Sequence, residues 1–295
     1  MDTLESLRTK LESAADINAV VKTMKAVAAS NISQYELAVA SLGDYYRNVS
    51  LGLAAYFKSK IINTIIKEIE PKSKNENLSG AIVFGSDQGL VGRFNDSLTE
   101  FVSKSLYAIP GKKEIYSVGE RIQLLLSDVG LNTTKLFTVP VAVNAITSLV
   151  GEILVTAQES MEKEGIRSLY IFHNQPKDGA GYVPVMEQLL PLDDKWQHEF
   201  SNITWPTNKL PQIVGREEPT LFALIHEYLF VSLFKACAES LASENSSRLS
   251  AMQRAEKNIE ELLGDLNTTF NRLRQSSIDE ELFDVVSGFE ALKGG

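Results

Sequence analysis

Near the start of the chain, apolar residues fall at Leu4, Leu7, Leu11, Ala14, Ile17, Val21, Met24, Ala28, Ile32, Tyr35, Val39, Leu42, Tyr46, Val49, Leu53 and Tyr56. The steps are threes and fours that average about 3.5, the spacing of a coiled-coil seam and narrower than the stripe of a globular surface helix. At 1.5 Å per residue, a helix from Leu4 to Tyr56 would span roughly 80 Å. The end of the chain repeats the pattern with Leu249, Met252, Ala255, Ile259, Leu262, Leu266, Phe270 and Leu273, then Ile278, Leu282, Val285 and Phe289. All nine prolines lie between Pro71 and Pro219, so both runs are free of the residue that breaks helices at a cost of about 3 kcal/mol. Neither helix could bury its seam alone, so the N- and C-terminal helices are expected to pair as one long coiled coil, with an antiparallel arrangement as open to them as any other.

The middle of the chain changes period. Ser79 to Phe84 reads as a strand that ends in the glycine-rich turn Gly85-Ser86-Asp87-Gln88-Gly89-Leu90-Val91-Gly92. A helix from Phe94 to Tyr107, a strand at Glu114 to Val118, a helix from Glu120 to Asp128 and a strand at Lys135 to Val139 follow. A helix from Ala145 to Lys163 and strands at Arg167 to His173 and Tyr182 to Leu190 close the series. Pro184 predicts an edge position for the last strand. Strands alternating with helices imply right-handed crossovers and a Rossmann-like, mostly parallel sheet covered on both faces. Loop signals at Trp205-Pro206, Pro211 and Pro219 lead into the last helix. The expected organisation is α/β plus a long coiled coil: residues 1–70 as the first helix, 71–215 as the central domain and 216–295 as the last helix.

Composition narrows the function classes. A hydrophobic content of 44% and a charged content of 23% are ordinary for globular chains. No run approaches eighteen consecutive apolar residues, so no membrane span is expected. The opening Met1-Asp2-Thr3-Leu4-Glu5 lacks the regions of a signal peptide. Cys237, the one cysteine, has no intrachain partner, which points to a reducing compartment. A net charge of −9 argues against nucleic-acid binding.

Candidates for chemistry are thin. The Gly85–Gly92 turn could cradle phosphate at the following helix, but it lacks the Gly-Lys-Ser/Thr ending of a Walker loop and the glycine spacing of the dinucleotide fingerprint. Gly85, Ser86, Asp87, Gly89 and Gly92 are therefore read as a structural turn. His173, His198 and His226 lack metal-ligand spacing. Cys237 sits on an apolar helical face beside Leu233, Phe234 and Ala236, where a buried, inert thiol is usual. Asp193-Asp194 and Glu217-Glu218 read as solvated loop or helix start. No cofactor, metal or catalytic residue is expected.

The segment Asn271-Arg272-Leu273-Arg274-Gln275-Ser276-Ser277-Ile278-Asp279-Glu280-Glu281-Leu282-Phe283-Asp284-Val285-Val286-Ser287-Gly288 resembles the C-terminal signature of the gamma subunits of F-type ATP synthases. Glu239-Ser240-Leu241-Ala242-Ser243-Glu244 with Arg248 and Ala251-Met252 is similar to the same family's last helix. Val20-Val21-Lys22-Thr23-Met24-Lys25-Ala26-Val27-Ala28-Ala29 resembles its first-helix motif, and the Gly85–Gly92 turn with Asn95 resembles its Ser-Asp-x-Gly-Leu-x-Gly segment. The matches run in order along essentially the whole chain.

The resemblance implies a non-catalytic rotor stalk. Its paired helices would stand in a hexamer of alpha and beta subunits, and its α/β domain would lie against the epsilon subunit and the c ring. Ion-driven rotation would then be coupled to the beta subunits' nucleotide affinities. It places Arg274 and Gln275 at a beta-subunit loop and Met24 and Lys25 near the beta lever, with membrane association only through partners, at the cytoplasmic face or an equivalent inner face. Ser30-Asn31-Ile32-Ser33-Gln34 departs from the family's basic stretch, and Asp279 stands where threonine is common. These departures suit a divergent, alternate F-type ATPase with altered charge contacts. Two other classes compete: a cytoplasmic coiled-coil scaffold and a nucleotide-binding α/β enzyme with helical arms.

Overall fold

The computed structural model describes residues 3–58, 78–177, 181–191, 202–207, 209 and 216–293. The expected boundary at 70/71 lies outside them, as do Pro71, His198, Asp193-Asp194, Pro211 and the side chain of Glu217. The elements in order are α1 (Leu4–Lys58), β1 (Ser79–Phe84), α2 (Phe94–Ala108), β2 (Lys113–Val118), α3 (Glu120–Asp128), β3 (Lys135–Phe137), α4 (Val143–Lys163), β4 (Ser168–Pro176), β5 (Tyr182–Leu190) and α5 (Glu217–Lys293). The chain divides into two compact units, one of residues 1–28 with 249–295, the other of residues 29–248.

In the larger unit, five strands form one sheet in the order β3-β2-β1-β4-β5. The pairs β1–β2, β1–β4 and β2–β3 are parallel and β4–β5 is antiparallel. β1 carries apolar residues on both faces, as a strand buried on both sides must. Ile82 and Phe84 face a cluster made with α4, α5 and Tyr35 of α1. Ala81 and Val83 face Leu98, Val102 and Leu106 of α2 and Ile122 and Leu126 of α3. Fully burying a side chain of this size contributes about 1.5–3 kcal/mol, so the two clusters fix the layers. A third cluster joins Val49, Leu53 and Tyr56 of α1 to Leu221 and Tyr228 of α5. Gly52 permits that contact, since a Cβ there would stand 2.9 Å from Leu224 Cδ2.

The helices and the sheet match the sequence expectation, with Pro184 on the edge strand. β3 is shorter than expected: it stops at Phe137 because the Val139 N–H donates to Asp87 Oδ2 (3.2 Å) instead of a ladder partner, and Pro140 follows. β4 extends beyond His173 because its antiparallel pairing with β5 continues to Pro176. Pro219, expected in the loop before the last helix, lies in the first turn of α5, where a missing N–H costs nothing. One window of α5 is long and apolar enough to cross a bilayer by length and composition alone, and half of it is buried within the protein.

In the smaller unit, α1 and α5 pair antiparallel: Lys22 Nζ lies 4.0 Å from Glu256 and 3.8 Å from Glu260, and Lys25 Nζ lies 2.5 Å from Glu256 Oε2. Leu7, Ala14, Val21 and Ala28 are buried at seven-residue spacing, with Met252 buried on α5. Ile17 and Leu262, expected in the seam, are 55% and 50% exposed. Half-buried Asn18 and Lys25 on α1, and Glu256 and Leu263 on α5, take the inward steps instead. The seam is thus regular in period but polar at several of its positions.

Gly85 tests the layer packing. A Cβ there would meet Ile122 Cβ at 2.3 Å, between a strand end and a helix that pack on each other. Gly85→Ala is expected to destabilise the protein by roughly 2 kcal/mol or more, read as a lowered urea midpoint at unchanged m.

Candidate functional site

Two surfaces hold the residues singled out by sequence. The first is the paired-helix unit. Met24 and Lys25 are half-buried, and Lys25 is held by Glu256 inside the seam. A lysine or asparagine in a seam lowers stability but fixes register, because a slipped pairing would leave the charge unpaired. Arg274, Gln275 and Asp279 are all exposed. As many residues carry α1 back from Lys22 to its start at Leu4 as carry α5 forward from Glu260 to Ile278, so α5 runs past its partner there. Beyond that point Ile278, Leu282, Phe283, Val285, Val286 and Phe289 are exposed, Phe283 by 72%. At 3.6 residues per turn, Ile278, Leu282, Val285 and Phe289 share one line, Val286 and Phe283 widen it with Asp279 between them, and Glu280, Glu281 and Asp284 fall opposite.

The second surface is the carboxyl end of the sheet. In the Gly85–Gly92 turn, the Ser86 N–H donates to Asn95 Oδ1 (3.1 Å), and Asn95 Nδ2 donates to Ser86 Oγ (2.8 Å). The Ser86 carbonyl accepts from the Arg121 N–H (3.0 Å), and Ser86 Oγ donates to the Gln88 carbonyl (2.8 Å). Asp87 accepts from the N–H of Glu120 (3.1 Å), so it caps α3 from a distant loop and places its negative charge at that helix's positive end. The turn's main chain is therefore spent on internal partners in its first half. Only its tip is open: nothing lies within 4 Å of a Cβ built on Gly89, and exposed Leu90 has φ 62°, uncommon outside glycine, whereas Val91 is buried and its carbonyl accepts from the Phe94 N–H (3.2 Å) and from Ser247 Oγ (2.6 Å).

In an open α/β sheet, the crevice beyond the carboxyl ends of the strands, where the strand order reverses, is the usual ligand site. Between β1 and β4 that crevice is filled by α5. Ser240 Oγ donates to the Phe84 carbonyl (3.0 Å) and Ser243 Oγ to the Asn174 carbonyl (2.9 Å). Glu239 Oε2 lies 2.9 Å from His173 Nε2 and accepts from Gln175 Nε2 at 3.3 Å. Burial pushes the Glu239 carboxyl up, but hydrogen bonding from His173 and the charge of Lys235 outweigh it and hold it below the ordinary carboxylate value. Cys237 is buried on the same helix, and burial pushes its thiol up. His226 is exposed. Among the described residues no three His, Cys, Asp or Glu side chains are grouped to hold a metal. Sequence reasoning missed the part played by Glu239, Ser240 and Ser243, whose partners are 64 or more residues away.

The family model described as ATP synthase matches residues 3–292, and the chain belongs to that family. It is similar to the ATP synthase gamma chain of Christiangramia forsetii, at 28% identity over 100% of both chains, and to that of Bdellovibrio bacteriovorus, at 25% identity over 100% of both. Its fold is similar to a chain of the Euglena gracilis mitochondrial ATP synthase rotor, with a TM-score of 0.63 and 19% identity, covering 93% of this chain and 98% of that one. A chain of the Tetrahymena thermophila central stalk and c-ring structure shares it with a TM-score of 0.51 and 20% identity, covering 80% and 99%.

The depressed Glu239 carboxyl fixes the sign of a pH effect. A folded value below the unfolded one contributes stability above the unfolded value, and that contribution is lost as pH falls through the folded value. Glu239→Gln should therefore cost about 1–3 kcal/mol at pH 7. The gap to the parent protein should shrink as the pH is taken below the ordinary carboxylate range, measured by urea unfolding at several pH values.

Proposed function

We propose that this chain is the central rotor stalk of an F-type ATP synthase, coupling ion-driven rotation of a membrane c ring to conformational change in catalytic beta subunits. Membership of the ATP synthase family over nearly the whole chain supports the reading. The observation that carries it is the exposed apolar face of α5 from Ile278 to Phe289. A coiled coil has no internal use for apolar residues past the end of its partner, and exposing them in water is a liability unless another chain surrounds them. A collar of alpha and beta subunits would cover that face, and few ion pairs at the contact would let it turn with little hindrance.

Met24, Lys25, Arg274, Gln275 and Asp279 are the proposed contacts with the beta subunits. Arg274, Gln275 and Asp279 are exposed for that purpose, whereas Lys25 also holds the seam. The α/β unit would face the epsilon subunit and the c ring, which would attach the chain to the membrane at its cytoplasmic or equivalent inner face. A divergent, alternate enzyme with its own matched subunits accounts for the departures after Ala29 and at Asp279.

Phe283→Asp combined with Val285→Asp should change the unfolding free energy of the isolated chain by about 0.5 kcal/mol or less, because both residues are exposed. In membranes carrying the whole enzyme the same variant should lower ATP-driven ion pumping severalfold. Unimpaired pumping would contradict the collar.

A further inference from the structure

Several weak points meet at one level of the paired-helix unit. The contact of Lys22 with Glu260 sets the register, so the fourth residue before Lys22 and the fourth after Glu260 bring Asn18 level with Gly264. Asn18 Oδ1 is buried there and accepts no hydrogen bond from the protein. Lys25 finds Glu256 across the seam and so holds the register, whereas the residue level with Asn18 on the inner side of α5 is the apolar Leu263. Gly264 lies inside α5, where glycine is less favourable than alanine, yet nothing outside the helix's own main chain stands within 4 Å of a Cβ built on it. Packing therefore gives no reason for a glycine. Thr268 Oγ1 donates to the Gly264 carbonyl at 2.9 Å, and at the same level of α1 Thr23 Oγ1 donates to the Ala19 carbonyl at 3.0 Å. Each hydroxyl shares that carbonyl with the main-chain N–H of its own residue, which weakens the helical ladder and favours bending.

The segments on either side of this level are better held. On one side, the contacts of Lys22 and Lys25 with Glu256 and Glu260 brace the two helices together. On the other, Leu266, Phe270 and Leu273 of α5 are half-buried, so pairing resumes before the exposed apolar end that begins at Ile278. We propose that the level of Asn18 and Gly264 is a bending point in the paired helices, set between a braced segment and the segment that carries the apolar end. Because α5 is helical throughout, the bend tilts that end without breaking the helix. That the tilt lets the end follow a surrounding collar as it turns rests on the stalk reading; the bending point itself does not.

Native-state hydrogen exchange of the full chain, read residue by residue, tests the bending point. Amides of residues 264–268 should exchange about tenfold faster, or more, than those of residues 256–260 and of residues 270–273, a minimum of protection inside one helix. Protection that instead falls steadily from residue 256 to residue 278 is fraying from the end, and it would overturn the bending point. Asn18→Leu, Gly264→Ala and Thr268→Ala together favour a regular helix pair and should erase the minimum, slowing residues 264–268 by about tenfold with exchange in β1 unchanged. A minimum that survives the three substitutions would equally overturn it. In the assembled enzyme the same triple variant should lower ATP hydrolysis severalfold at unchanged subunit content. An unchanged rate there would overturn the tilt while leaving the stalk reading untouched. A parent chain that shows the minimum but joins no hexamer would contradict the stalk reading, and the tilt with it, while upholding the bending point.

Discussion

The docking of α5 onto the carboxyl ends of β1 and β4 is the constraint on which the α/β unit depends. Three serines on successive turns, Ser240, Ser243 and Ser247, donate to the carbonyls of Phe84, Asn174 and Val91. Glu239 adds a buried contact to His173. The first two bonds satisfy carbonyls at the carboxyl ends of β1 and β4, and the third ties α5 to the β1–α2 turn; leaving such groups buried without donors would be costly. They also occupy the crevice that a doubly wound sheet offers to a ligand. The crevice of an open α/β sheet serves here as a mount for a helix.

The same helix serves the other unit by a different device. Residues of α5 from Leu249 onward pair with the start of α1 along a seam that admits Lys25 and Glu256. Apolar replacements there would bury more surface, so the charged pair is a stability cost accepted for register. A smooth seam could slip by a heptad; one with a lysine and a glutamate facing each other has one low-energy pairing. Beyond the start of α1 at Leu4, α5 keeps its apolar residues and loses its partner. Stiff pairing followed by an uncovered apolar end is what an axle inside a bearing requires.

Most of the architecture was legible because its signals are local. Proline-free runs, steps of three and four, and alternation between strand and helix gave the elements, and the ordered motifs gave the family. What was hidden is non-local. Asn18, Lys25 and Glu256 look like surface residues to a search for apolar steps, so Ile17 and Leu262 were placed in the seam and are exposed. β3 ends early because Asp87, 52 positions earlier in the chain, takes the N–H of Val139, two residues past the strand's end. The buried role of Glu239, and of the serines of α5, depends on which strand ends lie opposite the helix, and no spacing rule states that.

The most direct test of the account is co-expression with the alpha and beta subunits from the same source, followed by measurement of stoichiometry and ATPase activity with and without this chain. A central stalk predicts one copy per hexamer of three alpha and three beta subunits, with ATPase activity that depends on its presence. A chain that fails to join the hexamer, or that instead self-associates through its helices, would contradict the stalk and favour a coiled-coil scaffold.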